Sequence, residues 1–190
     1  MLRSSLLIAL LAFSAAADAE GFDYSWLGFG YSMIEFDDID VDGDAVGIDG
    51  SFAFHEDFHA FASYATADLD FGIDATTFDI GVGYNTELSN VVDAYARLSF
   101  EYAKVDIPGF DGDEDDNGFG FEVGMRFEPA PQFELEGAIK YVDLDDSGNE
   151  TAFALGGLYN FTPAFAAGLF AEWGDDVTSY TFLGRFYWGQ

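Results

Sequence analysis

From Gly21 onward apolar side chains recur at every second position, the spacing of half-buried strands, and helical periodicity is hard to find. The clearest stretch is 118–128, where Phe119, Phe121, Val123, Met125 and Phe127 alternate with Gly120, Glu122, Gly124 and Arg126. In 93–104, Ala94, Ala96, Leu98, Phe100 and Tyr102 oppose Tyr95, Arg97, Ser99 and Glu101. The pattern predicts ten strands, at 24–35, 44–54, 58–68, 76–86, 93–104, 118–128, 133–142, 151–161, 165–173 and 179–188. Only 58–68 is ambiguous, because both its faces mix alanine with aromatics. Connections alternate in length: 36–43, 69–75, 105–117, 143–150 and 174–178 are acidic and mostly long, whereas 55–57, 87–92, 129–132 and 162–164 are mostly tight. Such alternation describes an up-and-down antiparallel meander of even strand number, the kind of sheet that closes into a barrel.

Two barrels share this pattern. A soluble lipocalin-like barrel turns the apolar face to an internal ligand cavity; a transmembrane β-barrel turns it to lipid. Charge placement favours the second. The apolar faces carry charge only at strand ends (Glu35, Asp44, Lys104), while the polar faces hold Asp49, Asp79, Arg97, Glu101, Glu122, Arg126, Glu134, Glu136, Lys140, Glu172 and Arg185 among small residues. A water-facing exterior would be far richer in charge. Aromatics fall in two bands: Phe52, Phe54, Tyr84, Phe127 and Trp188 near the short turns, and Phe36, Phe71, Tyr102, Phe119, Tyr141 and Trp173 near the long connections. Strand propensity explains their number; two bands flanking an aliphatic belt are what interface girdles look like.

Composition now makes sense. The 190 residues carry a net charge of −30, yet 49% are hydrophobic and 18% aromatic, which excludes a disordered acidic tail. A polyanion of this kind is no partner for nucleic acid, and the absence of Cys removes disulfides, thiolate metal sites and cysteine nucleophiles. Residues 1–19 read as a cleaved secretory signal peptide: Arg3, an apolar run from Leu6 to Phe13, and Ala17-Asp18-Ala19 as the cleavage site. The expected organisation is therefore a signal peptide at 1–19 and one barrel domain at 20–190, with no apolar run long enough for a transmembrane helix.

The first strand, Trp26-Leu27-Gly28-Phe29-Gly30-Tyr31, and the last, Tyr180-Thr181-Phe182-Leu183-Gly184-Arg185-Phe186-Tyr187-Trp188, resemble those of the small outer-membrane β-barrels of Gram-negative bacteria, the OmpA membrane domain and OmpX class in the broad sense. That resemblance implies residence in the bacterial outer membrane, contact with its lipid and lipopolysaccharide, and the barrel-assembly machinery as a partner in biogenesis. It also implies eight strands, so eight stands beside ten as the alternative count. It carries no activity.

Of the five basic residues left after Arg3 is removed, Arg97, Arg126, Lys140 and Arg185 fall on the inward face. There they are expected to pair with Glu101, Glu122, Glu136 and Glu172, because enclosed charges need partners; Arg97, Glu101, Glu122 and Arg126 are expected to form one cross-strand network. The lumen then reads as a charged, largely filled plug, although inward glycines such as Gly28, Gly83, Gly120 and Gly124 leave volume for a narrow pore. Three acidic strings resemble half of a calcium loop: Asp38-x-Asp40-x-Asp42-Gly43, Asp113-x-Asp115-x-Asn117-Gly118 and Asp143-x-Asp145-x-Ser147-Gly148. They lack the closing Glu, so loose association with Ca²⁺ or Mg²⁺, at Asp38, Asp40 and Asp42 first, is expected instead of an EF-hand, and no other cofactor. His55 and His59 sit at the short-turn end, where no Ser–His–Asp set can be assembled, so catalysis is not expected. The chain is thus expected to be a non-enzymatic outer-membrane barrel with an envelope-structural or surface-interaction role. A narrow passive pore is the alternative, and a soluble ligand-binding barrel the third reading.

Overall fold

The computed structural model describes residues 22–36, 41–109 and 114–188. The proposed signal peptide at 1–19, and Asp38, Asp40 and Asp113 of the acidic strings, lie outside the described residues. Ten antiparallel strands form one closed barrel: β1 (Trp26–Phe36), β2 (Asp42–His55), β3 (Phe58–Leu69), β4 (Ile73–Ser89), β5 (Val92–Asp106), β6 (Glu114–Ala130), β7 (Phe133–Leu144), β8 (Gly148–Thr162), β9 (Phe165–Trp173) and β10 (Val177–Tyr187). Each strand pairs with its chain neighbours, and β1 closes on β10 over eleven residue pairs, from Trp26↔Tyr187 to Phe36↔Val177. Ten strands, not eight, is the count.

At one end the four hairpin turns are two residues long (56–57, 90–91, 131–132 and 163–164). Just before each turn the register shifts, between Ala53/His55, Glu87/Ser89, Phe127/Ala130 and Asn160/Thr162. The extra residue of a bulge increases local twist and lets a tight turn follow a strongly tilted strand. At the other end the connections are shorter than the sequence suggests, because β4 begins at Ile73 and β6 at Glu114, inside segments read as loops.

Those segments look like loops because the sense of alternation inverts. Over most of the wall the apolar side chains point outward: Leu27, Phe29, Val46, Ile48, Ile80, Val82, Leu98, Ile139 and Phe182 are half exposed. This excludes the soluble lipocalin-like reading, which needs that face inside. Towards the long-connection end the exterior becomes Glu35, Asp44, Asp68, Asp74 and Asp143, while Ile34, Phe36, Leu69, Ile73, Val105 and Leu144 turn inward and pack on one another. Phe36, expected in the exterior girdle, is buried inside for this reason. The upper barrel is therefore built like a soluble one, with a dry core and an acidic coat.

The connection between β3 and β4 is a single 3₁₀ turn, Asp70–Gly72, in which Phe71 adopts φ 64° with its side chain largely exposed. A bulky side chain in the left-handed region costs about 1–2 kcal/mol. Phe71→Gly should accordingly raise unfolding stability by about 1 kcal/mol in urea titrations of the folded barrel, with no change in fold.

Candidate functional site in the barrel lumen

The inward face forms three layers. The floor, at the short-turn end, includes a segment that precedes β1. Phe22 and Tyr24 fold into the barrel mouth and are buried. The Tyr24 ring stacks on His59 (4.3 Å between centroids) and its hydroxyl donates to Asp93 Oδ2 at 2.9 Å. The Arg126 guanidinium lies over Phe22 at 4.7 Å. Both nitrogens of His59 are occupied: Nε2 accepts from Arg97 Nε at 3.1 Å, and Nδ1 then donates to Asn85 Oδ1 at 3.2 Å. This histidine is a packed wall residue, held by structural partners on both edges.

The middle layer is charged. Arg97, Glu101, Glu122, Arg126, Glu136, Lys140, Glu172 and Arg185 all face the lumen and are buried. Arg97 Nη1 donates to Glu122 Oε1 at 3.1 Å, directly across the β5–β6 register, and its guanidinium lies between the rings of Phe61 and Tyr95 at 4.9 and 4.7 Å. The expected network of Arg97, Glu101, Glu122 and Arg126 is divided, however. Glu101 accepts from Lys140 at 2.9 Å, and Arg126 donates through Nε and Nη2 to Glu134 Oε1 at 2.9 and 2.6 Å. Residues four apart on a strand are separated by about 13 Å, so Arg97 reaches across the sheet more easily than along it. Glu136 Oε1 accepts from the Tyr95 hydroxyl at 2.8 Å; Glu172 lies within the electrostatic reach of Lys140. Arg185 stacks on the Trp26 indole at 4.3 Å, with Glu134 Oε1 at 4.0 Å. Glu134, placed on the inward face by the alternation but not among the expected ion-pair residues, and Tyr24, Trp26 and His59, which the sequence reading did not select, are further lumen partners. The alternation Glu134-x-Glu136-x-x-x-Lys140 marks the first of these; Tyr24 lies ahead of the first ladder pair, where no partner strand reveals its direction.

Five of the inward glycines lie against side chains of a neighbouring strand. A methyl group at Gly28 would collide with the Asp49 carboxylate, at Gly83 with the His59 ring, at Gly120 with Glu101, at Gly124 with the Tyr95 ring and at Gly156 with Phe170. At these five positions a side chain from an adjacent strand occupies the space the glycine vacates. Above this layer the aliphatic core of the upper barrel forms the ceiling.

On the exterior, Asp44, Asp68, Asp74 and Asp106 stand directly opposite one another across β2 to β5. Tyr31 donates to Asp44 Oδ1 at 2.6 Å and Lys104 pairs with Asp106 at 3.0 Å. In the described parts of the second and third acidic strings, side chains and amides bond to one another. Asp115 and Asn117 lie in extended β6, Asn117 Nδ2 donates to Asp145 Oδ2 at 3.3 Å, and Asp116 accepts from the amides of Asn117, Asp146 and Ser147. Asp42 is exposed at the start of β2, its amide 3.4 Å from Asp70 Oδ2. Among the described residues, donors converge to metal-binding distance only at His55, Glu56 and Asp57 on the β2–β3 turn, where His55 Nδ1 already accepts the Asp57 amide at 3.1 Å.

Removing one member of a buried pair leaves an uncompensated charge, which costs about 3–5 kcal/mol. Arg126→Ala, which strands Glu134 and releases Phe22, should lower unfolding stability by about that amount in urea titrations of the detergent-folded protein. Arg126→Lys should recover only part of it, since a single ammonium cannot reproduce the two guanidinium bonds.

The sequence profile of the outer membrane protein beta-barrel domain matches residues 5–161. No curated protein matches the chain. Among solved structures, a KdgM porin is similar at 11% identity with a TM-score of 0.49, over 85% of this chain and 99% of that one. Neisserial surface protein A is similar at 15% identity and TM-score 0.42, over 86% and 95% of the two chains. Ail, the attachment invasion locus protein of Yersinia pestis, is similar at 18% identity and TM-score 0.40, over 85% and 94%. With the profile covering most of its length, the chain belongs to the outer membrane protein β-barrel domain family.

Proposed function

We propose that this outer-membrane barrel is a closed, non-conducting one, serving an envelope-structural or surface-interaction role. What supports this reading is how the inward face is occupied: an aromatic floor, a charged middle in which Gly28, Gly83, Gly120 and Gly124 are covered by neighbouring side chains, and an aliphatic ceiling. A solute path would need all three layers to open. Catalysis has no support in the lumen, where both histidine nitrogens of His59 are committed to wall contacts. The exterior supports contact with outer-membrane lipid through its half-exposed apolar belt, and export through a cleaved signal peptide at 1–19 would bring the chain to the barrel-assembly machinery. In planar bilayers the folded protein should give no unitary conductance steps at any voltage that leaves the membrane intact; reproducible steps would establish the narrow-pore alternative instead.

The acidic coat fits an environment rich in divalent ions. Like charges directly opposite in a sheet are destabilising by some tenths of a kcal/mol up to about 1 kcal/mol, and Asp68 has Asp44 on one side and Asp74 on the other. Ca²⁺ or Mg²⁺ associating loosely with this row, and with lipopolysaccharide phosphates beside it, would screen that repulsion. Asp68→Asn should raise the urea midpoint at low ionic strength, and millimolar Mg²⁺ should give the unaltered protein a similar gain. A midpoint indifferent to both Mg²⁺ and chelator would remove divalent ions from this reading.

A further inference from the structure

The outer wall carries a groove of about 510 Å³, within the roughly 300–1,000 Å³ range of ligand pockets. Its floor is the outward positions of Gly50, Ala60 and Ala62, which are half-buried although they face out. Ile48, Phe52 and Ile80 rise around them, each about half exposed. The groove has a direction. Leu27, Gly50, Ala62 and Ile80 are in register across β1 to β4. Leu27 is the second residue of β1, at the short-turn end, whereas Ile80 stands near the middle of β4. The row therefore climbs from the short-turn rim towards mid-height, as the tilt of barrel strands requires. Trp188, whose amide donates to the Ser25 carbonyl just ahead of β1, lines the lower end, an interfacial place for an indole.

An apolar depression in a lipid-facing wall stays dry, because water there would find no polar partners. A second copy of the chain, packed about a two-fold axis through the groove, would set depression against depression and enlarge the void. A flexible acyl chain that enters beside Trp188 and follows the row upward fills it, and restores the dispersion contacts a void forfeits. The short-turn end of such barrels is the periplasmic one, so the chain belongs to a lipid of that leaflet. Charge selects its headgroup. Two ladder pairs below Phe52↔Ala60 the β2–β3 hairpin ends in Glu56 and Asp57. The four short turns contain no Lys or Arg, and Arg97, Arg126, Lys140 and Arg185 are buried in the lumen. An anionic headgroup would meet like charge at this rim, whereas one bearing an ammonium finds two carboxylates.

We propose that this groove is a phospholipid site: it holds one acyl chain of a phosphatidylethanolamine whose ammonium lies against Glu56 and Asp57. The inference rests on the lipid-facing reading of the apolar belt and is independent of whether the lumen conducts. One side of the barrel then carries a bound lipid that travels with it, and the hairpin of β2 and β3 sets which headgroup that lipid has.

Native mass spectrometry of the folded full-length protein, from micelles holding phosphatidylethanolamine and phosphatidylglycerol in equal amounts, decides the matter. One phosphatidylethanolamine should be retained per barrel, preferred over phosphatidylglycerol by about tenfold, the effect of one charge-assisted hydrogen bond. Gly50→Leu should abolish that retention while the protein stays heat-modifiable on detergent gels. A methyl group at Gly50 meets its nearest atoms at only 3.4 and 3.7 Å, so the wall accepts the new side chain as it fills the groove. Ala62→Leu fills the same floor from β3 and should act alike. The Glu56→Gln, Asp57→Asn double variant should keep a lipid but lose the headgroup preference. Absence of the adduct, its survival in both filled variants, or equal retention of the two headgroups by the unaltered protein would overturn the proposal. So would a preference that survives the double variant, or a dimer in sedimentation that Gly50→Leu dissociates. Protein that stays soluble without detergent would overturn the lipid-facing reading itself.

Discussion

The hydrogen-bonded seam between β1 and β10 is the constraint on which the rest depends. A sheet with free edges cannot sit in hydrocarbon, where every unpaired backbone amide and carbonyl lacks a substitute for water. Eleven pairs from Trp26↔Tyr187 to Phe36↔Val177 remove both edges at once. Closure in turn divides the side chains into an inside and an outside with no third option. Each strand must then satisfy both surfaces with alternate residues, which is why one chain tolerates a net charge of −30 beside 22 Phe.

Closure also determines how the lumen is filled. Ten strands enclose more volume than the small residues along them could occupy, so the wall pairs glycines with long side chains from the next strand. His59 over Gly83, Tyr95 over Gly124 and Glu101 over Gly120 are one arrangement repeated around the ring. The charges are held by the same neighbours: Arg97 lies between two aromatic rings, and Arg126 faces the ring of a segment that belongs to no strand. Packing and ion pairing are therefore not separable here, since the side chains that fill the interior also orient its charged groups.

Much of this was legible in the alternation alone. Period two identified the ten strands, and parity placed Arg97, Arg126, Lys140 and Arg185 inside. Parity does not tell which inward residues meet, because that depends on register between strands, and register is set by turns and bulges whose geometry the residue pattern does not encode. Glu101 consequently goes to Lys140, a partner two strands away, and Arg126 to Glu134 on the far side of a bulge. Element ends were lost for a different reason. Where Asp74 and Asp143 face outward, the exterior is acidic instead of apolar, and a strand there resembles a loop to any reading that assumes one medium throughout. At Gly83 and Gly124 the adjacent strand places a ring where the glycine has no side chain, which the residue pattern alone does not reveal.

The inversion of alternation along the strands has a consequence for how this surface evolves. At one parity, a substitution from leucine to aspartate is intolerable beside Ile80 and unremarkable beside Asp74, on the same face of the same strand. Acceptable chemistry is thus a function of two coordinates, parity and height, and the boundary between the two regimes is a contour drawn around the cylinder. Shifting that contour by one residue pair would change how deeply the protein seats in its bilayer without altering a single backbone hydrogen bond. Immersion depth is for this barrel an independently adjustable trait, separate from fold and from interior.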